Sequence, residues 1–194
     1  VEIENDGWYH GGGPPELSRV DLLRSADGLE WEPVSTMIAG GGHTETEILF
    51  RPDGELWAVS RPATFARAQP PYTEWRYDTL ADGSCGGPGM IACGDEVFLG
   101  GRHYGLGEGI WGTALWRYAS NIDNFEQLAI LPEPGNFDMS YPGFISCDDA
   151  VYMVYYSSHL HDSEFQSGRM APSGQSAYSH WAARADIFLA RLRM

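Results

Sequence analysis

Apolar residues along this chain come in short runs rich in Val, Ile, Phe, Tyr and Trp, punctuated by Gly, Pro and Asp about every ten residues. Helical spacing is almost absent, so the pattern predicts strands throughout. The most explicit stretch is residues 43–61, HTETEILFRPDGELWAVSR. An apolar run (Ile48, Leu49, Phe50) leads to a tight Pro52-Asp53-Gly54 turn, and a second, alternating run through Leu56 and Ala58 ends on Arg61. This is a β-hairpin pattern that delivers an arginine to the end opposite the turn. The design recurs in residues 88–102, PGMIACGDEVFLGGR, and 142–156, PGFISCDDAVYMVYY. In each copy an aromatic follows an acidic turn (Trp57, Phe98, Tyr152), and four residues later stands Arg61, Arg102 or Tyr156.

Extending the reading gives strands at residues 2–4, 8–11, 20–25 and 31–35, then 46–50, 55–61, 64–67 and 75–80. A third group covers 89–93, 96–102, 114–118 and 125–131, and a fourth 143–147, 151–157 and 187–192, without a fourth strand. The repeat turns at Asp6, Asp53, Asp95 and Asp149 lie about 40 to 55 residues apart, the period of a propeller blade. The expectation is an all-β chain, a β-propeller of four-stranded antiparallel blades, with one domain over residues 1–194 and blade-like units at about 1–40, 41–84, 85–135 and 136–194. A long polar segment at residues 159–184 interrupts the fourth unit, and its Tyr178, His180 and Trp181 serve either as lid packing or as ligand contacts.

Charge narrows the function. A net charge of -15 argues against a nucleic-acid partner, because phosphate binding needs clustered cations. The 12 cationic side chains are all Arg, which excludes lysine Schiff-base chemistry and a phosphate-loop lysine. No apolar run is long enough for a membrane helix, and residues 1–8 carry neither a basic region nor an apolar signal segment, so nothing here fixes a compartment. Cys85, Cys93 and Cys147 lack metal-ligand spacing and read as thiols of apolar runs.

The turn before the strand at 31–35, Ser25-Ala26-Asp27-Gly28-Leu29-Glu30-Trp31, resembles the aspartate box of sialidases and BNR-repeat proteins, with Gly following Asp directly. TETEILFRPDGELWAVSR, PPYTEW (70–75), GGPGMI (86–91), SYPGFI (140–145), VYYSSH (154–159) and DIFLARL extend the resemblance to the later blades of a five- or six-bladed glycosidase propeller. The box is a structural turn whose Ser and Asp bond the backbone, with its Trp packed between sheets. The resemblance implies a sialidase-like glycoside hydrolase, or its glycan-binding portion, acting on a terminal sugar, with Arg61 and Arg102 together favouring an acidic one. Alternatives are a non-catalytic carbohydrate- or protein-interaction module and a family 43-like glycosidase on neutral sugars. The Arg-Ile-Pro-like segment and the acid/base aspartate of early sialidase blades are not found.

In such a propeller the starts of the first strands and the ends of the second face a central funnel. That expectation collects His43, Thr44, Glu45, Gly87, Ser140 and Tyr141 with Arg61, Arg102, His103, Ser158 and His159, and His10 as the corresponding candidate of the first unit. Arg61 and Arg102 either hold a carboxylate or hydroxyl cluster in bidentate fashion or neutralise Glu45, Glu47 or Asp138. Glu45 and Tyr141 match the pair in which a carboxylate activates a tyrosine nucleophile, with Asp138 or Glu47 as a second carboxylate. The competing reading packs Tyr141 on its strand entry and pairs Glu45 with an arginine. His159 and His161, one residue apart, would share the side of a strand, but no partner has ligand spacing, so no metal and no cofactor are expected. The expected partner is a glycan, with self-association as a way to cover open blade edges.

Overall fold

The structure is a computed structural model that describes residues 18–80, 84–104, 106, 111–119, 124–135, 139–147, 150–161 and 185–193. The described residues are all-β: thirteen strands in four antiparallel sheets and one 3-10 turn. The chain divides into two compact units, Val1–Thr79 and Leu80–Met194. The strands expected at 2–4 and 8–11, the Asp6 and Asp149 turns, and His10, Asp138, Tyr178, His180 and Trp181 lie outside the described residues.

In the first unit, β1 (Arg19–Arg24) pairs with β2 (Glu32–Ala39), and β3 (Thr44–Phe50), β4 (Leu56–Arg61), β5 (Thr64–Ala68) and β6 (Arg76–Thr79) form a four-stranded meander. Strand β4 has Leu56, Trp57, Ala58, Val59 and Ser60 all buried, so it is covered on both faces. Leu22, Met37 and Ile38 of the β1–β2 pair form one cluster with Leu56, Ala58 and Ala66. Strand β2 runs to Ala39, past its expected end at residue 35, because Met37 and Ile38 enter this core and the Tyr77 hydroxyl donates to the Met37 carbonyl at 2.8 Å. Glu55, buried beside the turn, accepts from Trp57 Nε1 and from Arg76 Nη2, both at 2.6 Å.

The turn between β1 and β2 is the aspartate-box segment. Ser25 Oγ accepts the Gly28 amide at 2.7 Å, and Asp27 Oδ1 accepts the Leu29 and Glu30 amides at 2.8 and 3.0 Å. Gly28 has φ +79°, a left-handed geometry that side-chain-bearing residues avoid, which explains a glycine directly after the aspartate. The expectation for Trp31 is corrected: it is 60% exposed. The apolar cluster of this unit draws on Leu22, Met37 and Ile38, and the box tryptophan lies beyond their reach at the hairpin's turn.

In the second unit, β7 (Gly86–Cys93), β8 (Glu96–His103), β9 (Trp111–Tyr118) and β10 (Glu126–Gly135) form a meander. A three-stranded sheet follows, β11 (Ser140–Cys147), β12 (Ala150–Ser157) and β13 (Asp186–Arg193). Phe98 and Leu115 of the first sheet share a cluster with Val151, Met153 and Tyr155 of the second, with Phe144 and Phe188 against it. Burial raises the pKa of the Tyr155 phenol. The opposite face of the three-stranded sheet exposes Ile145, Val154, Ile187 and Leu189, with Val154 and Leu189 directly paired. Cys85 is fully buried and Cys93 partly buried. Strand β9 starts at Trp111, before its expected start at residue 114, and residues 159–161 form a 3-10 turn, so the same-side argument for His159 and His161, which needs a strand, does not apply.

Two outcomes follow. The Asp27 carboxylate is held below its ordinary pKa of 3.8, first by the Glu30 amide, then by the Leu29 amide and the Ser25 hydroxyl. Its contribution to stability is therefore present above the unfolded value and lost as pH falls through the depressed folded value. A carboxyl NMR titration of Asp27 with a midpoint at or above the ordinary value would refute the cap. Separately, a Cβ on Gly89 would run into the Pro142 backbone carbonyl, so Gly89→Ala should lower stability by about 1–3 kcal/mol in denaturant unfolding, as overpacking between β7 and β11.

Candidate functional site

The site is set by a backbone irregularity that recurs at the head of three meanders. From Leu49 back to Thr44 is five positions on β3, facing the four from Trp57 to Arg61 on β4. The same mismatch separates Gly86–Ile91 from Phe98–Arg102, and Ser140–Ile145 from Tyr152–Tyr156. Each first strand thus carries one extra residue, a β-bulge, next to the pair that includes Arg61, Arg102 or Tyr156. The bulge residues are left-handed in all three: Glu45 at φ 49°, Gly87 at 54° and Tyr141 at 46°. Ser140 joins them at φ 92°. A left-handed residue other than glycine costs about 1–2 kcal/mol, so glycine at the β7 position is the unstrained choice and Glu45 and Tyr141 are not.

In the first unit this geometry brings together His43, Glu45 and Arg61. Arg61 Nη1 donates to Glu45 Oε1 at 3.2 Å, with the two side chains 34% and 23% exposed. His43 Nδ1 lies 3.0 Å from the Arg61 carbonyl, which only accepts, so Nδ1 carries the hydrogen. Behind them Thr46 Oγ1 donates to Ser60 Oγ at 2.9 Å. The ion pair with an arginine read for Glu45 is present.

In the second unit, Arg102 is only 4% exposed. Its Nε and Nη2 both donate to the Met139 carbonyl, at 2.9 and 2.7 Å. Its guanidinium carbon sits 5.9, 5.6 and 5.6 Å from the ring centroids of Tyr104, Trp111 and Tyr141. Desolvated cation–π contacts of this kind contribute about 2 kcal/mol and help offset burial of the charge. Tyr141 stays half exposed, stacks on Tyr156 at 6.1 Å with a 10° interplanar angle, and lies so close over Gly87 that a Cβ there would come within 2.9 Å of the ring. Gly86 is likewise pressed by the Tyr104 hydroxyl.

His103, buried, stacks on Trp116 at 6.2 Å. His159 tilts against Phe188 at 4.7 Å, and its Nδ1 hydrogen-bonds Ser157 Oγ at 2.9 Å. The Ser140 and Ser158 hydroxyls are buried without a hydrogen-bond partner. Among the described residues no group of three His, Cys, Asp or Glu side chains is placed to hold a metal.

The residues the sequence reading singled out therefore fall into two groups: His43, Glu45 and Arg61 in the first unit, and Arg102, His103, Tyr141, Ser158 and His159 in the second. Sequence reasoning missed Tyr104 and the Met139 carbonyl. A signal for Tyr104 was available, since it follows the Arg102-His103 strand end directly. Nothing in the sequence marks a carbonyl as the partner of an arginine 37 residues away. No family model matches the chain, and no curated protein matches it.

The bulge makes a specific demand on Glu45. Glu45→Gly removes a partly exposed ion pair worth about 0–1 kcal/mol and relieves left-handed strain of about 1–2 kcal/mol. The variant should unfold at the same denaturant concentration as the parent or slightly above it. A loss of more than about 1 kcal/mol would mean that the carboxylate is a structural support.

Proposed function

We propose that this chain is a sialidase-like β-propeller portion that binds a terminal sugar of a glycan at the bulged strand ends of its second unit, around Tyr141. One observation carries the reading: three sheets repeat the same left-handed bulge in the same register, and the side chain at that position changes from Glu45 to none to Tyr141. A constant backbone presenting variable chemistry at one end is what a ligand face on a repeated scaffold requires. The hydrogen-bonded Ser25–Asp27 turn supports the aspartate-box resemblance independently.

Within this reading Tyr141 offers a half-exposed phenol, the group a sialidase-like hydrolase uses as nucleophile. A second reading, a binding module without catalysis, is favoured by the Glu45–Arg61 ion pair, which neutralises the bulge carboxylate of the first unit.

The purified chain should bind a terminal glycoside saturably, and Tyr141→Ala should weaken that binding by about tenfold or more. Incubation with chromogenic sialosides, pentosides and hexosides separates the two readings. Chromophore release that Tyr141→Phe abolishes establishes the hydrolase. Saturable binding without release establishes the module, and no binding to any glycoside removes the glycan reading altogether.

A further inference from the structure

The bulged end of the second unit has an arginine at its centre, and the state of that arginine defines which sugars fit. A carboxylate is gripped by two parallel N–H groups along one edge of the guanidinium fork. In Arg102 the Nε–Nη2 edge is committed to the Met139 carbonyl, at 2.9 and 2.7 Å. Its surroundings are the rings of Tyr104, Trp111 and Tyr141, and the residue is 4% exposed. An anion on that edge would have to displace a backbone carbonyl, and on the Nη1–Nη2 edge it would have to reach a side chain that is almost fully enclosed. The net charge of -15 adds a field that disfavours anionic ligands.

What Arg102 does hold is the entry to β11. Met139 immediately precedes Ser140 and Tyr141, the two left-handed residues, and the same guanidinium lies against the Tyr141 ring. Gly87 leaves room beneath that ring, and Tyr156 stacks on it. The strained conformation is thus fixed from several sides, while half of the Tyr141 surface remains open. Among the described residues, this end exposes about half of the Tyr141 side chain, while the Ser140 and Ser158 hydroxyls are buried without a hydrogen-bond partner. Buried hydroxyls normally have partners, and ordered water is what the open valences of these two suit.

We propose that the ligand at this end of the second unit is an uncharged, hydroxyl-rich sugar, and that Arg102 is a positioning residue for Tyr141, not a receptor for a carboxylate. The inference rests on the glycan reading above and narrows it from acidic to neutral sugars.

The test measures binding of the full chain to methyl glycosides of neutral pentoses and hexoses and to the methyl glycoside of N-acetylneuraminic acid, by ligand-observed NMR at low and high salt. Binding of a neutral glycoside should change less than about twofold with salt, because no ion pair is screened. Sialoside binding that weakens with salt, with no neutral glycoside bound, overturns the neutral class and leaves the glycan reading intact. Absence of binding to every glycoside overturns both. For positioning, Arg102→Lys keeps the charge but loses the fork. It should shift the Tyr141 ring resonances and weaken neutral-sugar binding about tenfold, and unchanged resonances with unchanged binding would overturn the role. Should Arg102→Lys fail to fold, Tyr141→Gly decides whether the ring is needed, since the bulge accepts glycine at Gly87. Retained neutral-sugar binding in that variant overturns the site.

Discussion

The feature on which the candidate site depends is a single extra residue at the head of a strand. In a strict two-residue alternation, a side chain opposite Arg61 or Arg102 would belong to one face of its sheet or the other. The bulge breaks that alternation and turns the inserted residue left-handed, so Glu45 and Tyr141 leave the ladder next to the last pair of the hairpin. Glycine would adopt this geometry without strain, and one of the three copies has it. The other two spend about 1–2 kcal/mol each on a carboxylate and a phenol, and neither residue is part of the two hydrophobic clusters described above.

The separation between packing and chemistry is spatial. The cores of both units draw on the middle of the strands and their turn-proximal parts: Leu56, Ala58 and Ala66 in one, Phe98, Met153 and Phe188 in the other. The bulges sit at the opposite ends. A side chain can therefore change at the bulge without opening a cavity in the core, which is how a repeated sheet can hold different groups at one register position. Gly89 and Gly100 show where this freedom stops, because Pro142 and Phe144 of the next sheet press directly onto them.

Much of this was legible in the sequence. Turn residues at Asp53 and Asp95 and the alternation around Trp57, Phe98 and Tyr152 place the strands of two full meanders within a few residues, because turns and half-buried strands leave local marks. The four-residue spacing from aromatic to Arg61, Arg102 or Tyr156 was also visible. The extra residue on the facing strand was not, since it appears only when the register of both strands is known. Trp31 shows the other limit. Its motif identifies the turn correctly, yet burial depends on what lies across from it, and the aspartate-box hydrogen bonds form fully with that ring exposed.

The two arginines separate for the same reason. Arg61 and Arg102 end equivalent strands and read alike, each a cation four residues beyond an aromatic. In the structure one is a third exposed and paired with the bulge carboxylate, whereas the other is buried against three rings with its fork on a backbone carbonyl. The difference originates in the bulge partner. Where the first strand offers Glu45, the arginine finds its countercharge locally and stays near solvent. Where it offers Gly87, there is no side chain to meet, and the space is taken by Tyr141 from the following sheet. A guanidinium enclosed by rings needs acceptors, and one that it takes is the Met139 carbonyl that leads into Tyr141. The glycine at Gly87 thus decides three things together: that Arg102 is buried, that Tyr141 can lie across the neighbouring strand, and that the exposed chemistry at this end is a phenol instead of a cation.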